Sequence, residues 1–241
     1  MAVTVDRAGE WGGLAAWWLK EVAHDHIFAS DVAPLIEELV GPSRATPWLD
    51  LGCGEGRVMR LLGEGVIGCD QEDLLLRAAR DAGPVVRCRL PRLAWLRDGT
   101  LAGAVAVLVA EHVADLPGLL AETRRVVAPG GSLVLVANHP AFTAEGAGPI
   151  VDETDGEVLW RWGPYFASAA VPTDVGGATV TYHHRSLGTI LTAAADAGWS
   201  LERLDERPLS ASAAAAQPGY AGQESLPRLV GARWRAGPAR I

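Results

Sequence analysis

At 241 residues, 49% hydrophobic and 21% charged, the chain is long enough for one large core with attached elements. Its 21 basic and 29 acidic residues give a net charge of -8 with no basic run to compensate, which argues against nucleic acid as a partner. Neither a signal-like N-terminus nor a long apolar span is seen, so we expect a cytoplasmic protein with no membrane partner, a monomer or a homodimer.

In chain order, residues 1–42 read as helical. Within WGGLAAWWLKEVAHDHIF, Trp17 and Trp18 occupy adjacent helical positions, so only one of them dominates any single face. His24, Asp25 and His26 invite a metal reading, but histidines at i and i+2 do not share a helix face and no third ligand is visible; no metal is expected. In SDVAPLIEELVG, Asp31 is placed to cap, Pro34 falls in the first turn, and Val32, Leu35, Ile36 and Leu39 share a face. GPSRATP breaks the pattern.

From Trp48 onward, residues 43–241 read as one domain. Short apolar runs, Trp48 to Leu51, Val66 to Cys69, Val85 to Cys88, Ala104 to Ala110 and Leu133 to Ala137, alternate with helical intervals. Unbroken runs of this kind suit strands buried on both faces, and the intervals suit crossover helices, which is an α/β doubly wound pattern. The helix in DLPGLLAETRRVVAPGG is marked by Leu116, Leu119, Leu120, Thr123, Val126 and Val127, and ends at Pro129-Gly130-Gly131. Residues 138–185 then lose the alternation and predict an inserted, partly β cap. Order returns with SLGTILTAAADAG, which Ser186 is placed to cap, and with the strands WSLERL and PRLVGARWRA. Cys53, Cys69 and Cys88 have no paired spacing and read as small hydrophobes.

The chemistry is concentrated in WLDLGCGEGRVMRLL. Glycines at the carboxyl end of a buried strand let the chain turn sharply and let a ligand approach the backbone, while the next helix offers unpaired N–H groups. The dinucleotide fingerprint G-x-G-x-x-G would require a third glycine at position 57, which is Arg57. Gly52, Gly54 and Gly56 instead form G-x-G-x-G, with Asp50 two residues before. A diphosphate needs no carboxylate beside it, whereas a ligand carrying an ammonium group is well served by Asp50. Asp70 ends the next run, where a carboxylate can accept hydrogen bonds from ribose hydroxyls.

LDLGCGEGR, then GVIGCD, then AEHVADLPGLLAETRRVVAPGGSLVLV together resemble the class I S-adenosylmethionine-dependent methyltransferases, from about Trp48 to Ala137. The resemblance implies a Rossmann-like, mostly parallel seven-stranded sheet and S-adenosyl-L-methionine as cofactor. It implies that Gly52, Gly54 and Gly56 line the methionine and ribose portions, that Asp50 orients the ammonium group, and that Asp70, with Gln71 beside it, holds the ribose diol. Many relatives carry an acid after the third strand and a Phe-Asp pair before the fourth. Here those stretches read RCRLPRLAWL and TLAGAV, with Ala102 at the pair's acidic position. Adenine is therefore expected against the backbone around Arg89 and Leu90, and Glu111 completes the expected cofactor set.

Methyl transfer from a sulfonium is an in-line displacement, so positioning and exclusion of water come first, and a base matters only where the nucleophile must lose a proton. His112, after the fourth strand, is either such a base or an anchor for its loop. His139, in ANHPAF, is similar to part of the Asn-Pro-Pro-aromatic motif of amino-group methyltransferases but follows the fifth strand rather than the fourth. The cap offers Trp160, Trp162, Tyr165, Phe166, Tyr182, His183, His184 and Arg185, which are either substrate walls or the cap's own small core. Strand alternation sends His183 and His184 to opposite sides; His183 is the second candidate base. Arg185 suits a substrate carboxylate or an ion pair. Residues 1–42 resemble the family's N-terminal lid, which implies a helical lid closing over the cofactor, and Trp18 on it completes the expected substrate set. The acceptor is expected to be a small aromatic metabolite methylated on O, N or C, the alternatives being a protein or RNA acceptor or a cofactor-binding relative without catalysis.

Overall fold

The computed structural model describes residues 11–22, 25–42, 44–216 and 218–238. The chain opens with α1 (Ala15–Glu21), and a π-helical turn at Phe28–Val32 runs straight into α2 (Ala33–Val40). Alternation then follows as β1 (Trp48–Leu51), α3 (Arg57–Leu62), β2 (Val66–Asp70), α4 (Asp73–Ala79), β3 (Val85–Arg87), β4 (Leu101–Val107), α5 (Leu116–Val126) and β5 (Val127–Asn138). The insertion contributes α6 (Pro140–Thr143), the hairpin of β6 (Gly148–Val151) with β7 (Val158–Arg161), and the hairpin of β8 (Ala169–Val175) with β9 (Ala178–His184). The chain closes with α7 (Leu187–Asp196), β10 (Trp199–Arg207), α8 (Ala211–Ala216) and β11 (Leu229–Ala236).

The main sheet has the order β10-β11-β5-β4-β1-β2-β3, and only β11 runs against its neighbours. This is the expected mostly parallel, doubly wound architecture. Strand order reverses between β1 and β4, where β1 pairs β2 on one side and β4 on the other, so a crevice opens at the carboxyl ends of these strands. Alternate residues of β1 enter two buried layers: Leu49 and Leu51 pack with Leu116, Leu120 and Trp234, and Trp48 packs with Leu35, Ile36 and Met59. Trp48 lies so close across the sheet that a Cβ on Gly103 would overlap its ring.

Several boundaries differ from expectation. Strand β4 begins three residues earlier than the apolar run Ala104 to Ala110 and stops at Val107, because the next residues turn through a short 3-10 segment at Ala110–His112. Pro129-Gly130-Gly131 does not separate helix from strand; it lies inside β5, whose pairing with β4 shifts register there. Asp31 caps no helix, since the π-helical turn carries on through it; its carboxylate accepts from Ser210 N at 2.7 Å and Ser210 Oγ at 3.0 Å. The expected lid at 1–42 is also divided: Leu35, Ile36 and Leu39 of α2 are fully buried, so α2 is a core helix rather than part of a cover. Ser186 does cap α7, accepting from Thr189 N at 3.3 Å. Among the described residues no helix is long and apolar enough to cross a membrane.

Candidate active site

Each of the three glycines after β1 takes positive φ, but for different neighbours. A Cβ on Gly52 would overlap Val109, and one on Gly56 would lie 3.0 Å from the Cβ of Ala79, so packing of the protein on itself excludes side chains there. Gly54, at φ 53°, would meet only Trp18 Nε1 at 4.0 Å. Of the three, Gly54 is therefore the position whose missing side chain keeps the crevice clear.

Four carboxylates gather around this loop at the sheet's carboxyl edge. Asp50 is 1% exposed, and its Oδ2 has no hydrogen-bond partner. Burial, then the charges of Asp70 and Glu55, push its pKa up to about 8. Asp70 accepts from Gly54 N at 3.0 Å and Glu72 N at 2.9 Å, which fixes the glycine loop to the end of β2; burial raises its pKa against those bonds. Cys88 N donates to Asp70 O, so the backbone leading to Arg89 and Leu90 passes beside Asp70, and Gln71 follows it directly. Glu111, buried after β4, accepts from Asn138 Nδ2 at 2.8 Å while its Oε2 is unpartnered. Buried carboxylates with unsatisfied oxygens call for a cationic ligand.

Helix α1 covers the loop. Trp18 Nε1 donates to Glu55 Oε2 at 2.9 Å, and Arg57 bonds Glu55 at 2.6 Å and Asp25 at 2.7 Å while its guanidinium lies 5.0 Å from the Trp18 ring and 4.5 Å from Phe28. Asp25 is thereby a structural ion-pair partner; His24 lies outside the described residues. Trp17, on the adjacent position, packs against the β8–β9 turn, where a Cβ on Gly176 would overlap its ring. A line of edge-to-face contacts runs on from Trp18 to Trp11 (5.8 Å), to His112 (5.0 Å) and to Tyr182 of β9 (4.9 Å). Burial, then Glu111, pushes the Tyr182 phenol up to about 12.

Other expected substrate residues are drawn elsewhere. His139 accepts from Ala141 N through Nδ1 at 3.1 Å, capping α6, and its Nε2 lies 2.7 Å from Glu206, so both ring nitrogens are engaged. Burial lowers its pKa despite Glu206. His184 bridges Thr143 Oγ1 and the Tyr165 carbonyl, both at 2.8 Å, within the insertion's own core. Arg185 donates to the carbonyls of Ala110, Val113, Ala114 and His183, so it clamps the loop bearing His112. The alternation of β9 puts His183 on the face opposite Tyr182 and His184, which removes it from the line through His112. Trp162 and Tyr165 cluster with Phe166, which is 89% exposed, and Tyr165 Oη accepts from Leu187 N at 3.2 Å. Trp160 packs on Phe142 at 4.4 Å.

Sequence reading misses Glu55, Trp11 and Asn138 at this site. Glu55 sits inside the glycine stretch and Asn138 ends the fifth apolar run, so position alone marks both. Trp11 carries no local signal, since only the fold brings it between Trp18 and His112.

Comparison with known proteins agrees with this geometry. Residues 49–135 match the family described as Methyltransferase domain. An S-adenosylmethionine-dependent methyltransferase from Mesorhizobium loti superposes with a TM-score of 0.74 at 26% identity, covering 88% of this chain and 99% of that one. The glycopeptide N-methyltransferase MtfA, solved with S-adenosyl-L-homocysteine, shares the fold at 17% identity and a TM-score of 0.58, over 86% of this chain and 90% of that one. An uncharacterised 37.1 kDa transposon protein of Streptomyces fradiae is 38% identical over 98 residues, which span 36% of this chain and only 28% of that protein. The chain is similar to S-adenosylmethionine-dependent methyltransferases in fold, and residues 49–135 match the methyltransferase-domain family in sequence.

Proposed function

We propose that this chain methylates a small aromatic metabolite held between α1, the loop after β4, and β9, using S-adenosyl-L-methionine. The observation that carries the cofactor half is the unpartnered, buried Oδ2 of Asp50 beside the Gly54 cradle. The residues present fit a ligand with an ammonium and a sulfonium: Asp50 for the ammonium, Asp70 for the ribose diol, the Gly54 backbone against the ligand, and the stretch at Arg89 and Leu90 for adenine. The bound cofactor supplies a methyl group open to in-line displacement.

The chain's own contribution is position and dryness. Trp11, Trp18 and Tyr182 wall off the crevice and exclude water from it. His112, held by the Arg185 clamp on its loop, takes the proton of an O–H acceptor; a carbon acceptor that loses its proton after transfer does not need it. The contact of α1 with both the glycine loop and the β8–β9 arm supports an enclosed acceptor site over an open groove.

The test is methyl incorporation from labelled cofactor across a panel of aromatic metabolites, with protein and RNA fractions in parallel. Label in a metabolite, abolished by Asp50→Asn, is expected; label confined to protein or RNA overturns the acceptor class, and failure of the wild type to bind S-adenosylhomocysteine overturns the cofactor reading.

A further inference from the structure

The guanidinium of Arg228, at the entry to β11, lies 4.5 Å from the Phe142 ring and 5.4 Å from the Tyr220 ring. The side chain is half-buried, and among the described residues it has no carboxylate and no hydrogen-bond acceptor. The other half-buried arginines among the described residues are all engaged: Arg57, Arg125, Arg207 and Arg233 pair with acids, and Arg44, Arg124 and Arg185 donate to backbone carbonyls. Its backbone is fixed on both sides: Arg228 N donates to Arg207 O at 2.7 Å, and Arg228 O accepts from His139 N at 2.9 Å. Contact through the flat face of a guanidinium leaves its in-plane N–H edge available, and ring contacts hold that edge in one orientation.

A second donor stands in the same cluster. Trp160 packs on the Phe142 ring that Arg228 also covers, and its buried Nε1 has no acceptor. A buried N–H left unpaired is costly, and an acceptor that reaches both groups is rewarded twice, by the indole and by the guanidinium. The cluster adjoins β9: Phe142 precedes Thr143, whose Oγ1 lies 2.8 Å from His184 Nδ1, and His184 is two residues beyond Tyr182, whose ring touches His112, on the same strand face. The Tyr182 phenol is also coupled electrostatically to Glu111, Arg228 and Tyr220.

We propose that Arg228, aided by Trp160 Nε1, binds a carboxylate of the methyl acceptor, so that the acceptor lies along Tyr182 with its acid at Arg228 and its nucleophile toward His112. The assignment rests on the methyltransferase reading above and adds the substrate class: an aromatic carboxylic acid. The planar fork of Arg228 matches a carboxylate through two parallel N–H bonds, and the flanking rings match an apolar ring carrying it.

Benzoate, benzamide and phenyl phosphate serve as probes in ligand-observed NMR on protein saturated with S-adenosylhomocysteine, comparing wild type, Arg228→Gln, Arg228→Lys and Trp160→Phe. Wild type should bind benzoate at least about tenfold tighter than benzamide, the scale of a charge-assisted bond. Arg228→Gln should abolish that preference, Arg228→Lys should keep part of it, and Trp160→Phe should weaken benzoate severalfold, with S-adenosylhomocysteine affinity unchanged throughout. Equal binding of acid and amide by wild type, a preference that survives Arg228→Gln, or a preference for phenyl phosphate overturns the proposal. Should Arg228→Gln fail to fold, the acid-to-amide ratio of wild type against Arg228→Lys decides. Absence of S-adenosylhomocysteine binding in wild type would instead strike the methyltransferase reading itself.

Discussion

Asp50 sets function against stability. Its carboxyl titrates near 8 in the folded chain, through burial first and then Asp70 and Glu55, against about 3.9 in an unfolded one. A raised carboxyl pKa contributes stability that is fully present below about pH 4, declines as pH rises, and is gone above about pH 8. The ligand-free protein should therefore melt at a lower temperature at pH 8.5 than at pH 6, and Asp50→Asn should flatten that slope while weakening the cofactor. An ammonium beside Asp50 favours its ionised form, so cofactor binding at pH 7 should release a proton, measurable by calorimetry in two buffers of different ionisation heat. No release, or an unchanged slope in Asp50→Asn, would refute the pairing. The glycines separate fold from ligand in the same way. Gly56→Ala meets Ala79 at 3.0 Å and should lower thermal stability, whereas Gly54→Ala bears only the backbone penalty of roughly 1 to 2 kcal/mol and should lose cofactor affinity instead. Equal behaviour of the two variants in both assays would count against this division.

Among the elements, what the sequence revealed depended on how each is buried. Strands β1, β2, β4 and β5 are covered on both faces, so they appear as apolar runs whatever surrounds them. Strand β8 alternates half-buried with exposed residues through AAVPTDV and leaves no such run, which is why the insertion was legible only as a lapse in the pattern. The same limit explains the site. Asp50 and Asp70 are placed by strand ends, a position the sequence marks, whereas the bonding of His139, His184 and Arg185 depends on partners it does not show: a helix N-terminus with Glu206, a threonine with a carbonyl, and a loop's carbonyls. The contact of α1 with the β8–β9 arm gives a direct test. Gly176→Ala should destabilise the protein by forcing Trp17 away, in addition to the strain of a non-glycine at φ 57°. In a Trp17→Ala background the same change should cost less, leaving only the backbone term, as a double-mutant cycle of urea midpoints would report. Additive effects would mean that the contact carries no energy.

For the whole molecule, two buried layers on either side of one sheet make a platform, and the glycine loop, α1 and the inserted arm meet at its carboxyl edge. Helix α1 is only seven residues long, yet one tryptophan bonds the glycine loop and its neighbour seats on the inserted arm. On the function proposed above, cofactor and acceptor share this doorway: if α1 opens to admit the cofactor and its return builds a wall of the acceptor site, turnover should proceed in compulsory sequence, cofactor on first and S-adenosylhomocysteine off last. Steady-state kinetics should show S-adenosylhomocysteine competing with the cofactor but not with the acceptor. Trp18→Ala, by loosening the helix from Glu55, should let the acceptor in ahead of the cofactor and turn an ordered enzyme toward a random one.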